Sequence, residues 1–250
     1  MITRRRILAA SGAVLASTQL RKALAYPATP AAGGEEILVP VELKEWEIAP
    51  TQRVFRVGQP YRFEVTNAGA LVHEWVIEPA DADDEPLERE SESSDMPAES
   101  ELVDIGVKAA KMLTWTFTDP GDYKMVCHIE GHSEAGMHVP FSVIADAQIV
   151  DAETTEFSIK LSAETVKAGS PIAFVVQNHG KLTHELVIEP IGGNDEPFEI
   201  DGHGSEIEDI TPGSRREIIW TFDEPIDLQT VCHIPGHMEA GMIAFLTVTA

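Results

Sequence analysis

Hydrophobic and polar residues change places in short runs along most of this chain, and the runs are broken by Gly, Pro, Asn and Asp. Val54-Phe-Arg-Val-Gly58 and Thr165-Val-Lys-Ala-Gly169 are brief stretches that end in a turn glycine. Tyr61-Arg-Phe-Glu-Val65 and Ile172-Ala-Phe-Val-Val176 then alternate or run apolar, with β-branched and aromatic residues, which predicts strands. His73 to Glu78, Leu113 to Phe117, Tyr123 to Cys127 and Pro140 to Ile144 read the same way. Beyond the N-terminal segment no stretch sustains a 3.6-residue apolar period with caps. The expectation is an all-β protein of many short strands.

The pattern repeats. Asn67-Ala-Gly-Ala-Leu-Val-His73-Glu-Trp-Val-Ile-Glu-Pro79 returns as Asn178-His-Gly-Lys-Leu-Thr-His184-Glu-Leu-Val-Ile-Glu-Pro190, an offset of 111 residues that Asp84-Glu-Pro86 and Asp195-Glu-Pro197 share. Trp115-Thr-Phe117 returns as Trp220-Thr-Phe222, and Cys127 to Met137 as Cys232 to Met242, both at an offset of 105. The first copy therefore carries six extra residues between about Glu88 and Asp104, in a polar, low-complexity run expected to be a surface loop. Two units follow from the repeat, residues 36–147 and 148–250, with the boundary between Ala145 and Asp151.

Residues 1–25 stand outside this pattern. Thr3-Arg4-Arg5-Arg6-Ile7-Leu8 resembles a twin-arginine export signal, a weakly apolar run follows to Leu20, and Ala23-Leu24-Ala25 offers the small residues of a cleavage site. A general secretory signal and an uncleaved anchor are the alternatives. The run is too short and too polar to span a bilayer as a helix. Residues 26–35 are then a flexible mature N-terminus, and the expected location is periplasmic or otherwise outside the cytoplasm.

Composition narrows the partners. The 250-residue chain has net charge −24, from 42 acidic and 18 basic residues, and −29 once a leader ending at Ala25 is removed. Phosphate binding needs a basic face, so nucleic acid is excluded as the expected partner. The acidity reads either as general solvation, as in salt-adapted proteins, or as steering of a protein partner with a basic docking surface.

The only two cysteines, Cys127 and Cys232, occupy the same place in each copy. An exported protein could join them as a disulfide, but equivalent positions of a tandem repeat build separate cores. Their surroundings also exceed what a disulfide requires: Cys127-His-Ile-Glu-Gly-His132-Ser-Glu-Ala-Gly-Met137 and Cys232-His-Ile-Pro-Gly-His237-Met-Glu-Ala-Gly-Met242. A thiolate, an imidazole and a thioether spaced Cys-x4-His-x4-Met can fold back onto one ion. His73 and His184, at matched strand starts after Asn-x-Gly turns, are the candidate second imidazoles. Cysteine with two histidines and a weak axial methionine is the blue-copper donor set, and its softness selects copper over zinc.

On these residues each copy resembles the cupredoxin family of small blue copper proteins, over nearly the whole chain beyond the leader. The resemblance implies two tandem Greek-key β-sandwiches. It also implies one type 1 copper per unit, two per chain, and one-electron exchange with a redox protein partner. Copper sequestration or resistance in the cell envelope is the alternative, because the ligand set is the same. Two-domain relatives of this fold include multicopper oxidases and copper nitrite reductases, which need additional histidines. No His-x-His pair occurs here, and Val126 and Val231 precede the cysteines, so no enzymatic activity is expected. His128 and His233 directly follow the cysteines and point to the opposite strand face. Three readings stand for them: a further metal, an electron exit route, or plain surface residues. His138, His179 and His203 receive no role, and Met112, Met125 and Met238 are expected in packing or at the surface.

Overall fold

A computed structural model describes residues 35–82, 85–89, 98–193, 195–200 and 202–250. The leader and most of the mature N-terminal segment lie outside them, as does much of the polar run after Glu88. Every regular element among the described residues is a strand.

The first half contains β1 (Ile37–Lys44), β2 (Glu47–Pro50), β3 (Val54–Arg56), β4 (Pro60–Asn67), β5 (His73–Pro79) and β6 (Glu88–Arg89). It continues with β7 (Ala98–Glu99), β8 (Glu101–Ile105), β9 (Ala110–Thr116), β10 (Gly121–Val126) and β11 (His138–Ile144). The second half contains β12 (Gln148–Thr155), β13 (Ser158–Leu161), β14 (Thr165–Lys167), β15 (Ile172–Asn178), β16 (His184–Pro190) and β17 (Glu199–Ile200). It ends with β18 (His203–Gly204), β19 (Glu206–Ile210), β20 (Arg215–Trp220), β21 (Ile226–Val231) and β22 (Ile243–Thr249).

Each half makes two main sheets in the same strand order, together with a two-stranded sheet, β6-β7 in the first half and β17-β18 in the second. The first has β2-β1-β4-β9 and β3-β11-β10-β5-β8; the second has β13-β12-β15-β20 and β14-β22-β21-β16-β19. In β1 every second residue is buried, so Ile37, Val39, Val41 and Leu43 form one wall of a core. Phe63 of β4, Trp75 and Ile77 of β5, Met125 of β10 and Phe141 of β11 close it from both sheets. In the second core Val150, Phe174, Leu186, Ile188, Leu228 and Leu246 do the same.

The six-residue difference between the copies lies inside one hairpin. Eight residues separate β6 from β7, whereas two separate β17 from β18. Elsewhere the two halves keep the same register: β10 pairs with β5 through Met125↔Ile77, and β21 with β16 through Thr230↔Ile188.

The halves are packed together through β20. Alternate residues of β15 serve different cores: Ile172, Phe174 and Val176 face the second, while Ala173 and Val175 join the first. Beside them, the buried Glu217 of β20 accepts hydrogen bonds from Tyr61 Oη (2.7 Å) and Arg56 Nε (2.8 Å) of the first half. The charge is thus buried with a cation and a hydroxyl, which is the condition for tolerating it there.

Candidate metal centres

Strands β10 and β11 are adjacent and antiparallel, and the loop between them starts at Cys127 and ends at Met137. The backbone of this loop is internally bonded. Cys127 N donates to Met137 O (3.2 Å), His132 N to Ile129 O (2.9 Å) and Met137 N to His132 O (3.0 Å). Gly131 has φ of 86°, a left-handed conformation that strains any side chain, and Gly236 repeats it at 90°. The loop therefore turns back on itself, setting Cys127, His132 and Met137 at one end of the core. All three are buried. The second loop repeats the bonds: Cys232 N to Met242 O (3.3 Å), His237 N to Ile234 O (3.0 Å) and Met242 N to His237 O (3.0 Å).

His73 heads β5, next to β10, and is fully buried. Asn67 sets the approach to it. The Asn67 side chain donates to Leu71 O (2.7 Å) and Ile105 O (2.8 Å) and accepts from Gly69 N (2.9 Å), tying the turn before His73 to the neighbouring strand. Asn178 makes the equivalent bonds before His184.

The result is two compact donor groups. His73 Nδ1 lies 3.3 Å from His132 Nδ1, which lies 3.4 Å from Cys127 Sγ. The same separations in the second half, His184 to His237 and Cys232 to His237, are both 3.3 Å. The ligand atoms of each group fall within 4.8 Å of one another, and these two are the such groups of His, Cys, Asp and Glu found among the described residues. Two nitrogens each about 2.0 Å from a common ion are about 3.3–3.5 Å apart at angles from tetrahedral to trigonal. The donor separations therefore fit one small ion per group. Met137 and Met242 are fully buried at the loop ends, where the backbone holds them beside the cysteines.

The electrostatics disfavour charge on the thiol and on the upstream histidine of each group until a metal arrives. Burial raises the Cys127 thiol above its ordinary value, opposed by the backbone amides of Glu74 and Ile129. Cys232 is raised for the same reason, with Glu185 and Ile234 supplying the amides. Burial lowers His73, and the neighbouring His132 lowers it further; His184 is lowered by burial and by His237. Binding must then release the thiol proton.

His128 and His233 stand apart from these groups. His128 Nε2 lies 3.1 Å from Glu78 Oε2, and His233 Nε2 lies 3.1 Å from Glu189 Oε1. Both glutamates are fully buried, a feature not read from the sequence. Glu78 also faces Lys124 Nζ at 3.1 Å, whereas Glu189 takes Gln229 Nε2 at 2.6 Å, so the equivalent carboxylates meet an ammonium in one half and a neutral amide in the other. Met125 is buried in the core, and Met112 and Met238 are exposed.

No family model matches the chain. A copper-resistant cuproprotein CopI of Vibrio cholerae serotype O1 is 27% identical over 133 residues, covering 50% of this chain and 78% of that protein. Among solved structures, reduced auracyanin from Roseiflexus castenholzii is 21% identical, with a TM-score of 0.34, and covers 43% of this chain and all of its own. A multicopper oxidase is 16% identical, with a TM-score of 0.31, over 86% of this chain and 89% of that one.

Proposed function

We propose that the protein is an exported copper-binding protein of two cupredoxin-like Greek-key units. Each unit holds one type 1 copper, and the protein handles copper in the cell envelope. The observation that carries the reading is the convergence of one buried thiol and two Nδ1 atoms in each half. His73, Cys127 and His132 would hold one ion and His184, Cys232 and His237 the other, with Met137 and Met242 each able to add a thioether. A thiolate with two imidazoles and a thioether is a soft set that suits copper. The similarity to a copper-resistant cuproprotein supports handling as the role. Bound copper would supply a one-electron couple.

Exchange of electrons with a redox protein partner is the second reading. The burial of the donors and the internal hydrogen bonds of their loops favour it, because a fixed site suits both oxidation states. Binding rather than catalysis is proposed for either role, since the buried Val126 and Val231 stand before the cysteines and supply no further ligand.

The test is copper tolerance in host cells lacking the gene. The wild-type chain is expected to restore growth on copper, and the Cys127→Ser, Cys232→Ser double variant is expected not to. Equal growth with both chains would overturn the handling role. Fast reduction of the loaded protein by a respiratory partner, without any tolerance effect, would replace it with electron transfer.

A further inference from the structure

Both metal centres are overhung by the same two-residue turn, which comes from a part of the chain far from the loops already described. Glu45-Trp46 joins β1 to β2, and Glu156-Phe157 joins β12 to β13. Trp46 has φ of 68° and Phe157 φ of 64°, left-handed conformations at a turn position ordinarily given to Gly or Asn. A bulky aromatic residue is disfavoured there, yet both copies keep one. Each ring sets its edge against the downstream histidine: Trp46 on His132 at 5.1 Å and 89°, Phe157 on His237 at 5.3 Å and 86°.

The glutamates of these turns face the upstream histidines. Glu45 Oε1 accepts from the backbone amides of Ala70 and Leu71, and Glu156 Oε1 accepts from that of Lys181. Those amides hold both carboxyls below the usual carboxylate range, so they carry their charge. Glu45 Oε1 is 3.9 Å from His73 Nε2. Glycine makes the approach feasible. A Cβ at Gly69 would meet Glu45 Oε1 at 2.6 Å, and one at Gly180 would meet both Glu156 Oε1 (3.0 Å) and His184 Nε2 (3.2 Å).

The histidines need such a partner. His73 Nδ1 and His184 Nδ1 face the donor groups, so with Nδ1 on an ion the ring's proton would sit on Nε2. Both Nε2 atoms are buried without a hydrogen-bond partner. A metal-bound histidine commonly gives its other N–H to a carboxylate, which fixes the ring and its tautomer.

We propose that Glu45 and Glu156 are positioning residues for the two metal centres. Each is the outer-sphere carboxylate for the Nε2–H of His73 or His184, while Trp46 or Phe157 covers the downstream histidine. This rests on the copper reading above and deepens it. A fixed negative charge beside a ligand stabilises the more positive ion, so the turn favours Cu(II) over Cu(I).

The experiment uses the full chain carrying Cys232→Ser, so that the first centre alone is loaded. Glu45→Gln keeps an oxygen for the Ala70 and Leu71 amides and removes only the charge. Cu(II) and Cu(I) affinities are measured by chelator competition and the reduction potential by voltammetry. Glu45→Gln is expected to lower Cu(II) affinity about tenfold with little change for Cu(I), raising the potential by about 59 mV. Unchanged affinities and potential in a folded Glu45→Gln chain would overturn the inference and leave the turn a purely structural role. The mirror pair, Glu156→Gln in a Cys127→Ser chain, is expected to behave alike. If the chain with Glu45 intact takes up no copper, the copper reading itself fails, and this inference with it.

Discussion

Glu217 is a buried polar link between the halves, and its removal has a calculable cost. Its side chain is fully buried and receives Tyr61 Oη at 2.7 Å and Arg56 Nε at 2.8 Å. Glu217→Ala removes the carboxylate to which both the Arg56 guanidinium and the Tyr61 hydroxyl donate. Removing one partner of a buried pair typically costs about 3–5 kcal/mol. Arg56 retains a bond to Gln59 Oε1 at 3.2 Å, and its side chain is 15% exposed, so the lower end applies, about 3 kcal/mol. Tyr61→Phe removes the charge-assisted bond to Glu217 and also the one that the Arg56 amide donates to Tyr61 Oη (2.9 Å), and should cost about 2–4 kcal/mol. The two losses share an interaction, so the double variant should fall short of their sum by at least about 1 kcal/mol. Urea unfolding followed by tryptophan fluorescence measures all three chains, since Trp75 and Trp115 lie in the first core and Trp220 in the second. The wild type is expected to unfold in one transition, and Glu217→Ala to split it. Additivity within about 0.3–0.5 kcal/mol, with no splitting, would refute the view that this contact couples the halves.

Three further outcomes follow from the same structure. Cys127→Ser and Cys232→Ser, made separately, should each remove about half of the visible thiolate-to-copper absorption, because distant sites add; loss of all colour from one change would show dependent sites. Asn67→Ala strands the buried carbonyl of Ile105, also removes the bonds to the more exposed Leu71 carbonyl and Gly69 amide, and should cost about 2–3 kcal/mol, read by the urea midpoint. Tyr61 is raised well above its ordinary value of 10.0, first by burial and then by the Glu217 charge. The unfolded chain then gives up that proton at a lower pH than the folded one. Stability should therefore fall as pH rises past about 10, less steeply in Tyr61→Phe, and equal slopes would contradict the assignment.

How far the sequence foretold these features depends on the residue. The alternation in Tyr61–Val65 and the unbroken apolar run in Ile172–Val176 both read as strand. Only the packing explains their difference, since Arg62 and Glu64 face outward whereas Ala173 and Val175 enter the other half's core. The Cys-x4-His-x4-Met spacing made the loops legible because all their donors lie within eleven residues. Glu45 and Trp46 were missed because their neighbours, His73 and His132, are distant in sequence, although Glu156-Phe157 repeats them at the same 111-residue offset. Glu78 and Glu189 stood in plain view within the repeat. Their burial arises from tertiary covering, with Lys124 or Gln229 on the next strand as partner, and no local pattern encodes that.

The central claim is one copper in each half, bound by cysteine, two histidines and methionine. Copper analysis combined with electron paramagnetic resonance on the purified oxidised chain tests it most directly. The account predicts two coppers per chain, both with the narrow hyperfine splitting of thiolate-bound type 1 copper. A colourless zinc-loaded chain, a single copper per chain, or a second signal from copper without a thiolate would contradict it.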